Sequence, residues 1–125
     1  MTGIVRKATS IFLLSLFLLP YLMNGWTALA TRILSGKGPW CVANPNAQTE
    51  VLQANIDYVC GIVIGACGAI QEGASCYTTD IVRRASYPMN AYFYMYGHKD
   101  INCYFNGTGR IVHDDPGYGN CVYPS

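Results

Sequence analysis

Six cysteines, Cys41, Cys60, Cys67, Cys76, Cys103 and Cys121, all lie beyond residue 40 of a 125-residue chain whose start reads as an export leader. Arg6 and Lys7 precede the apolar run over residues 11–19, and Ala28-Leu29-Ala30 has the small-x-small pattern that signal peptidase accepts. A membrane-spanning helix needs about 20 apolar residues. This run is shorter and is broken by Pro20, so residues 1–30 are read as a removed signal peptide rather than an anchor. An even number of cysteines in an exported chain of this size points to three disulfides. Spacing alone does not choose among the pairings. The chain beyond residue 30 is too short for two cores and small enough that hydrophobic burial needs covalent help.

Zinc is a poor alternative for these cysteines. No Cys-x-x-Cys pair occurs, and His98 and His113 are not at ligand spacing, so no metal or other cofactor is expected. Beyond residue 30, six basic residues (Arg32, Lys37, Arg83, Arg84, Lys99, Arg110) face seven acids (Glu50, Asp57, Glu72, Asp80, Asp100, Asp114, Asp115). The net charge is then about −1 with histidine neutral. Nucleic acid and anionic membrane surfaces both select a positive face, and Arg83-Arg84 is the sole basic pair in the sequence beyond the leader. Neutral ligands fit this balance better.

Residues 31–39, TRILSGKGP, lack periodicity and read as a flexible N-terminal segment before a domain over 40–124. In TEVLQANIDYVC, Leu52, Ile56, Val59 and Cys60 recur on one helical face, with Thr49 as N-cap and Gly61 as stop. The Gly-rich GIVIGACGAI predicts a tight turn and a short helical turn near residues 69–72. A second helix is expected from Ser86 as cap, with Pro88 in its first turn and Gly97 at its end. A helical turn starting near Thr79 and interrupted near Pro88 is the alternative. INCYFNGTGRIVHDDPGYGNCVYP carries turn residues between short alternating runs and predicts two or three antiparallel strands.

Catalysis finds little support in these residues. Glycosidic hydrolysis uses two facing carboxyls, and here the acids are scattered, with Asp114-Asp115 before Pro116-Gly117 reading as turn formers. The cysteines are expected to be oxidised and neither histidine lies in a nucleophile motif. SYPMNAYFYMY is more informative, with five aromatics in eleven positions. On a helical wheel, Met89, Tyr92, Phe93 and Tyr96 cluster on one side, read as core, and Tyr87, Asn90 and Tyr94 on the other. Rings stack on the C–H face of a sugar while amides and phenols meet its hydroxyls. The second face is therefore the candidate carbohydrate platform, with Tyr92, Tyr104 and Tyr118 as further candidates. Trp40, beside Cys41, is read as packing. Asn106-Gly107-Thr108 is a glycosylation sequon.

WCVANPNAQTEVLQANIDYVCG, CGAIQEG, CYTTDIVRRASYPMNAYFY and CYFNGTGRIVHDDPGYGNCVYP, taken in order, resemble the plant X8 domain, carbohydrate-binding module family 43, over residues 40 to 124. The family occurs at the C-terminus of plant β-1,3-glucanases, in small pollen proteins and in callose-binding proteins at plasmodesmata. The resemblance implies an α+β fold, a small disulfide-stapled domain with two main helices and a small antiparallel sheet. It also implies the pairs Cys41–Cys103, Cys60–Cys67 and Cys76–Cys121. The function it implies is a secreted, monomeric, non-catalytic module of the cell wall that binds β-1,3-glucan such as callose. Tyr58 stands where the family usually has Trp, Arg84 where His often precedes Ala-Ser-Tyr, and Pro88 where Ala is usual. No apolar tail follows Cys121, so no lipid anchor is expected. The rival expectation is a small secreted interaction or defence protein without glucan binding.

Overall fold

The computed structural model describes residues 38–125; the expected signal peptide over residues 1–30 and residues 31–37 of the expected N-terminal segment lie outside them. Trp40–Ala43 forms β1, Thr49–Ile62 α1, Ile81–Met95 α2 and Gly109–Val112 β2. Single 3-10 turns lie at Gly68–Ile70, Asp100–Cys103 and Phe105–Gly107. This is an α+β domain with two main helices and a two-stranded antiparallel sheet, stapled by three disulfides: Cys41–Cys103, Cys60–Cys67 and Cys76–Cys121. Each bridge contributes about 2 to 4 kcal/mol, chiefly by restricting the unfolded chain.

Helix α1 buries Leu52, Ile56 and Val59 of the face that the periodicity predicts, while Cys60, the fourth residue of that pattern, is exposed in its bridge to Cys67. Thr49 is its first residue rather than its cap, which is Gln48, and the helix runs one residue past Gly61. Such one-residue differences are ordinary at helix ends.

Helix α2 departs more from expectation. It starts five residues before Ser86, with Asp80 as N-cap accepting a hydrogen bond from the Val82 N–H at 3.0 Å. Pro88 lies inside the helix, and neither end is at the proline. Ser86 caps nothing: its hydroxyl donates to the Val82 carbonyl at 2.6 Å, one turn back, and accepts from the Ala43 N–H at 2.9 Å.

That last bond belongs to a pattern which explains how a strand as short as β1 is held. One edge pairs with β2, in the register Trp40↔Val112 to Ala43↔Gly109. On the other edge, the Cys41 N–H donates to Asn90 Oδ1 at 3.0 Å and the Ala43 N–H to Ser86 Oγ. Two residues of strand rise about 6.6 Å and four residues of helix about 6 Å. Side chains at i and i+4 of α2 thus match alternate N–H groups of β1, and a helix does what a third strand would do. The Asn90 amide also donates to the Pro124 carbonyl at 2.7 Å, tying the C-terminal segment to the same place.

The core forms where α2 meets β1 and α1. Phe93, Leu52, Ile70 and Met89 are its largest fully buried side chains, and Trp40 packs there as expected, 3 % exposed. The segment after α2 contains one strand, β2, plus a lone bridge between Tyr118 and Cys121, not two or three strands. Two 3-10 turns before β2, Asp100–Cys103 and Phe105–Gly107, bring Cys103 to Cys41. Gly109 permits this closure, because a Cβ there would collide with the Cys103 carbonyl.

Tyr123 is buried near the start of α2, its ring edge-on to Tyr87 and its hydroxyl 3.4 Å from the Arg83 carbonyl. Burial pushes this phenol well above the ordinary tyrosine range. In the unfolded chain it ionises near pH 10. The folded state holds the proton longer, so its contribution is complete below about pH 10 and is lost as pH rises beyond it. Denaturant titrations between about pH 9 and 12 are expected to show stability falling less steeply in Tyr123→Phe than in the parent. Equal slopes would place the alkaline sensitivity elsewhere.

Candidate carbohydrate-binding groove

Three segments that are distant in sequence build one groove of about 430 Å³. Ala54, Asn55 and Tyr58 come from α1, Tyr92 from α2, and Ile101, Asn102, Tyr104, Phe105 and Asn106 from the turns after it. Tyr92 sits at the centre of a ring cluster, 6.0 Å from Tyr58, 5.2 Å from Phe105 and 4.5 Å from Tyr96 between centroids. Tyr58 and Tyr104 are 55 % and 59 % exposed, so each offers open ring surface.

The backbone at Phe105, Asn106 and Gly107 takes positive φ three times in succession, at 45°, 53° and 84°. A bulky residue such as phenylalanine rarely accepts this conformation, and positions that keep it are concentrated at ligand-contacting sites. Here it turns the chain back sharply between Tyr104 and β2, which leaves Tyr104, Phe105 and Asn106 together on the groove. The turn is pinned from below: Thr108 Oγ1 donates to the Phe105 carbonyl at 2.6 Å and accepts from Asn55 Nδ2 at 2.8 Å. Asn102 Oδ1 accepts from the Lys99 N–H at 3.1 Å, which fixes that amide as well.

Among the described residues, no carboxylate, histidine or basic side chain lines the groove. The Tyr92 phenol is held above its ordinary value, first by burial and then by the neighbouring Tyr58 and Tyr96 phenols, so it is neutral at physiological pH. The surface is thus uncharged, with ring faces, phenol hydroxyls and amides. Such a surface can stack on an apolar ring face and exchange hydrogen bonds with hydroxyls. It has no pair of carboxyls with which to protonate and attack a glycosidic bond.

The six residues singled out from the sequence are divided by the structure. Tyr92, assigned there to the core face, and Tyr104 meet in the groove. Asn90 is fully buried and spends its side chain on Cys41 and Pro124, so it has no surface to offer a ligand. Tyr94 donates to the Pro39 carbonyl at 2.6 Å and one ring face stacks on His98 at 5.3 Å. With Tyr87 it borders a second, more open and largely aliphatic depression between residues 63–66 and Met95. Tyr118 lies elsewhere again, donating to the Cys76 carbonyl at 2.8 Å beneath the Arg83 guanidinium. On the supposed core face, Met89 and Phe93 are buried, but Tyr96 is 48 % exposed beside the groove cluster.

Tyr58, Asn55 and Phe105 are groove residues that sequence reasoning misses. One clue to Tyr58 is present in the sequence: it lies off the Leu52, Ile56, Val59 face, so an aromatic there has no core to enter.

A small disulfide-stapled scaffold presenting a neutral aromatic and amide groove is the architecture of a binding module. The family comparison agrees: residues 39–110 match the X8 domain model, and the chain belongs to that family. Among curated relatives, a glucan endo-1,3-beta-glucosidase of Triticum aestivum is 47 % identical over 92 residues, covering 73 % of this chain and 20 % of the enzyme. The major pollen allergen Ole e 10 of Olea europaea is 42 % identical over 72 % of this chain and 74 % of its own length. Plasmodesmata callose-binding protein 5 of Arabidopsis thaliana is 39 % identical over 69 % of this chain and 48 % of its own. The chain therefore spans only a fifth of the wheat enzyme it matches, and most of the olive allergen.

Proposed function

We propose that this protein is a secreted, non-catalytic module that binds β-1,3-glucan of the plant cell wall, callose included, through the groove between α1 and the turns after α2. The observation that carries the reading is the uncharged cluster of Tyr58, Tyr92, Tyr104 and Phe105 with Asn55, Asn102 and Asn106 around it. It gathers four rings and three amides, whereas the depression beside Tyr87 and Tyr94 is lined mainly by aliphatic side chains. Kinship with a protein named for callose binding and with enzymes named for 1,3-β-glucan supplies the polymer.

The test is retention of the oxidised protein on insoluble β-1,3-glucan, with cellulose and xylan as controls. Selective retention on β-1,3-glucan is the expected result, and Tyr94→Ala is expected to be retained like the parent, since that phenol serves the fold. Loss of binding in a folded Tyr94→Ala protein would move the site to the second depression. Failure of the parent to be retained would favour a protein partner and the interaction or defence role.

A further inference from the structure

We propose that Asn106 is an N-glycosylation site whose occupancy closes the groove, so that the modified and unmodified chains differ in glucan binding. The inference rests on the glucan reading above and on export through a glycosylating compartment.

Two independent observations meet at this residue. Asn106 heads the sequon Asn106-Gly107-Thr108 and is exposed, yet it also lines the groove beside Tyr104 and Phe105. A glycan there is tethered by one bond to the lip of a surface whose chemistry suits sugar rings. Tethering raises its effective concentration to the order of millimolar. A soluble or polymeric glucan must then compete with a ligand that never leaves.

A third observation concerns when the modification can occur. In the folded domain the Thr108 hydroxyl is used twice, as donor to the Phe105 carbonyl and as acceptor from the Asn55 amide. Asn106 itself is fixed at φ 53° between two further residues of positive φ. The sequon is locked in a tight turn three residues after Cys103, whose bridge to Cys41 holds that turn against β1. Transfer therefore has to precede folding. In it, Asn106 Nδ2 loses a proton and bonds C1 of the first sugar, while the C1–O bond to the pyrophosphate of a lipid-linked oligosaccharide breaks and the pyrophosphate leaves with the electron pair. Occupancy is then decided by a race between transfer and closure of Cys41–Cys103, and it is permanent once the domain has folded.

The experiment translates the full chain into glycosylation-competent microsomes under oxidising and reducing conditions, with Thr108→Ala as the control that removes the sequon. A modified band that increases several-fold when disulfides are prevented, and that is missing in Thr108→Ala, is expected. Oxidised, folded protein offered to the same microsomal enzyme should stay unmodified. No modified band under reducing conditions overturns the site, and equal modification of the folded protein overturns the race.

Closure is read on purified glycosylated protein against unmodified protein from a host without N-glycosylation. Retention on insoluble β-1,3-glucan is expected to fall at least tenfold in the glycosylated form and, after an amidase removes the glycan and leaves aspartate at position 106, to return to the level of unglycosylated Asn106→Asp. NMR cross-relaxation between the first sugar and the rings of Tyr58 or Tyr104 reads the same closure without any glucan. Equal retention of both forms, or sugar protons showing no contact with those rings, overturns closure. If neither form is retained while the ring contacts are present, the glucan reading fails and closure by the glycan stands.

Discussion

Asn90→Leu is expected to lower the unfolding free energy by about 3 kcal/mol, because it leaves one buried N–H and one part-buried carbonyl without their partner, a buried group costing about 1 to 3 kcal/mol and a part-buried one less. Those groups are the Cys41 N–H and the Pro124 carbonyl, which the asparagine satisfies at 3.0 and 2.7 Å. For a domain of this size the thermal midpoint should drop by about 15 °C. Leucine keeps the branched heavy-atom shape of asparagine but is bulkier, so at this fully buried site overpacking adds to the loss of the hydrogen bonds. Asn90→Asp keeps an acceptor for Cys41 but removes the donor to Pro124 and brings a carboxylate into a fully buried site, so it should be no better. Thermal unfolding of the oxidised proteins checks this. The folded fraction of Asn90→Leu, assayed well below its midpoint, should still be retained on β-1,3-glucan, which separates a fold-holding asparagine from a ligand-contacting one. A stable Asn90→Leu protein that has lost retention would reverse the assignment.

Asn90 also shows where sequence reading reaches its limit. A wheel places it with Tyr87 and Tyr94, away from Met89 and Phe93, and so makes it a surface residue. The structure buries it because α2 is covered on more than one side, and the groups that need it lie 49 and 34 positions away in the chain. No periodicity within α2 reports a strand edge elsewhere. The start of α2 agrees with the alternative reading, a helical turn beginning near Thr79, but the passage of the helix through Pro88 escapes sequence reading for a related reason. A proline in a helical run normally marks the first turn or an end, whereas here the Asp80 cap and packing on β1 carry the helix through Pro88.

Local features are legible without the structure. The α1 face needs only its own spacing, and the disulfide-stapled α+β class needs only the cysteines with the family motifs. The groove is the opposite case. Tyr58, Tyr92, Tyr104 and Phe105 come from three segments, and their meeting depends on the Cys41–Cys103 bridge and on a left-handed turn through Phe105, Asn106 and Gly107. Positive φ at a phenylalanine is not something its sequence context announces.

Replacing Tyr58 and Tyr104 together by alanine is expected to weaken β-1,3-glucan binding by about a hundredfold while leaving the fold intact. Both side chains are more than half exposed, so each truncation should change stability by no more than about 0.5 kcal/mol. The binding loss follows from area. Stacking one sugar face on one phenol ring buries roughly 60 Å² of apolar surface, worth about 1.5 kcal/mol, or about a tenfold change in affinity. Two rings acting as separate stacking partners add. Phenylalanine at both positions keeps the rings and removes only the hydroxyls, so the double Phe variant should bind much nearer the parent, within about tenfold. This ordering, parent then double Phe then double Ala, distinguishes stacking from a groove that works by phenol hydrogen bonds alone, for which the two double variants would fall together. Depletion isotherms on insoluble β-1,3-glucan measure it, and a folded double Ala protein that binds like the parent would remove this groove as the binding site.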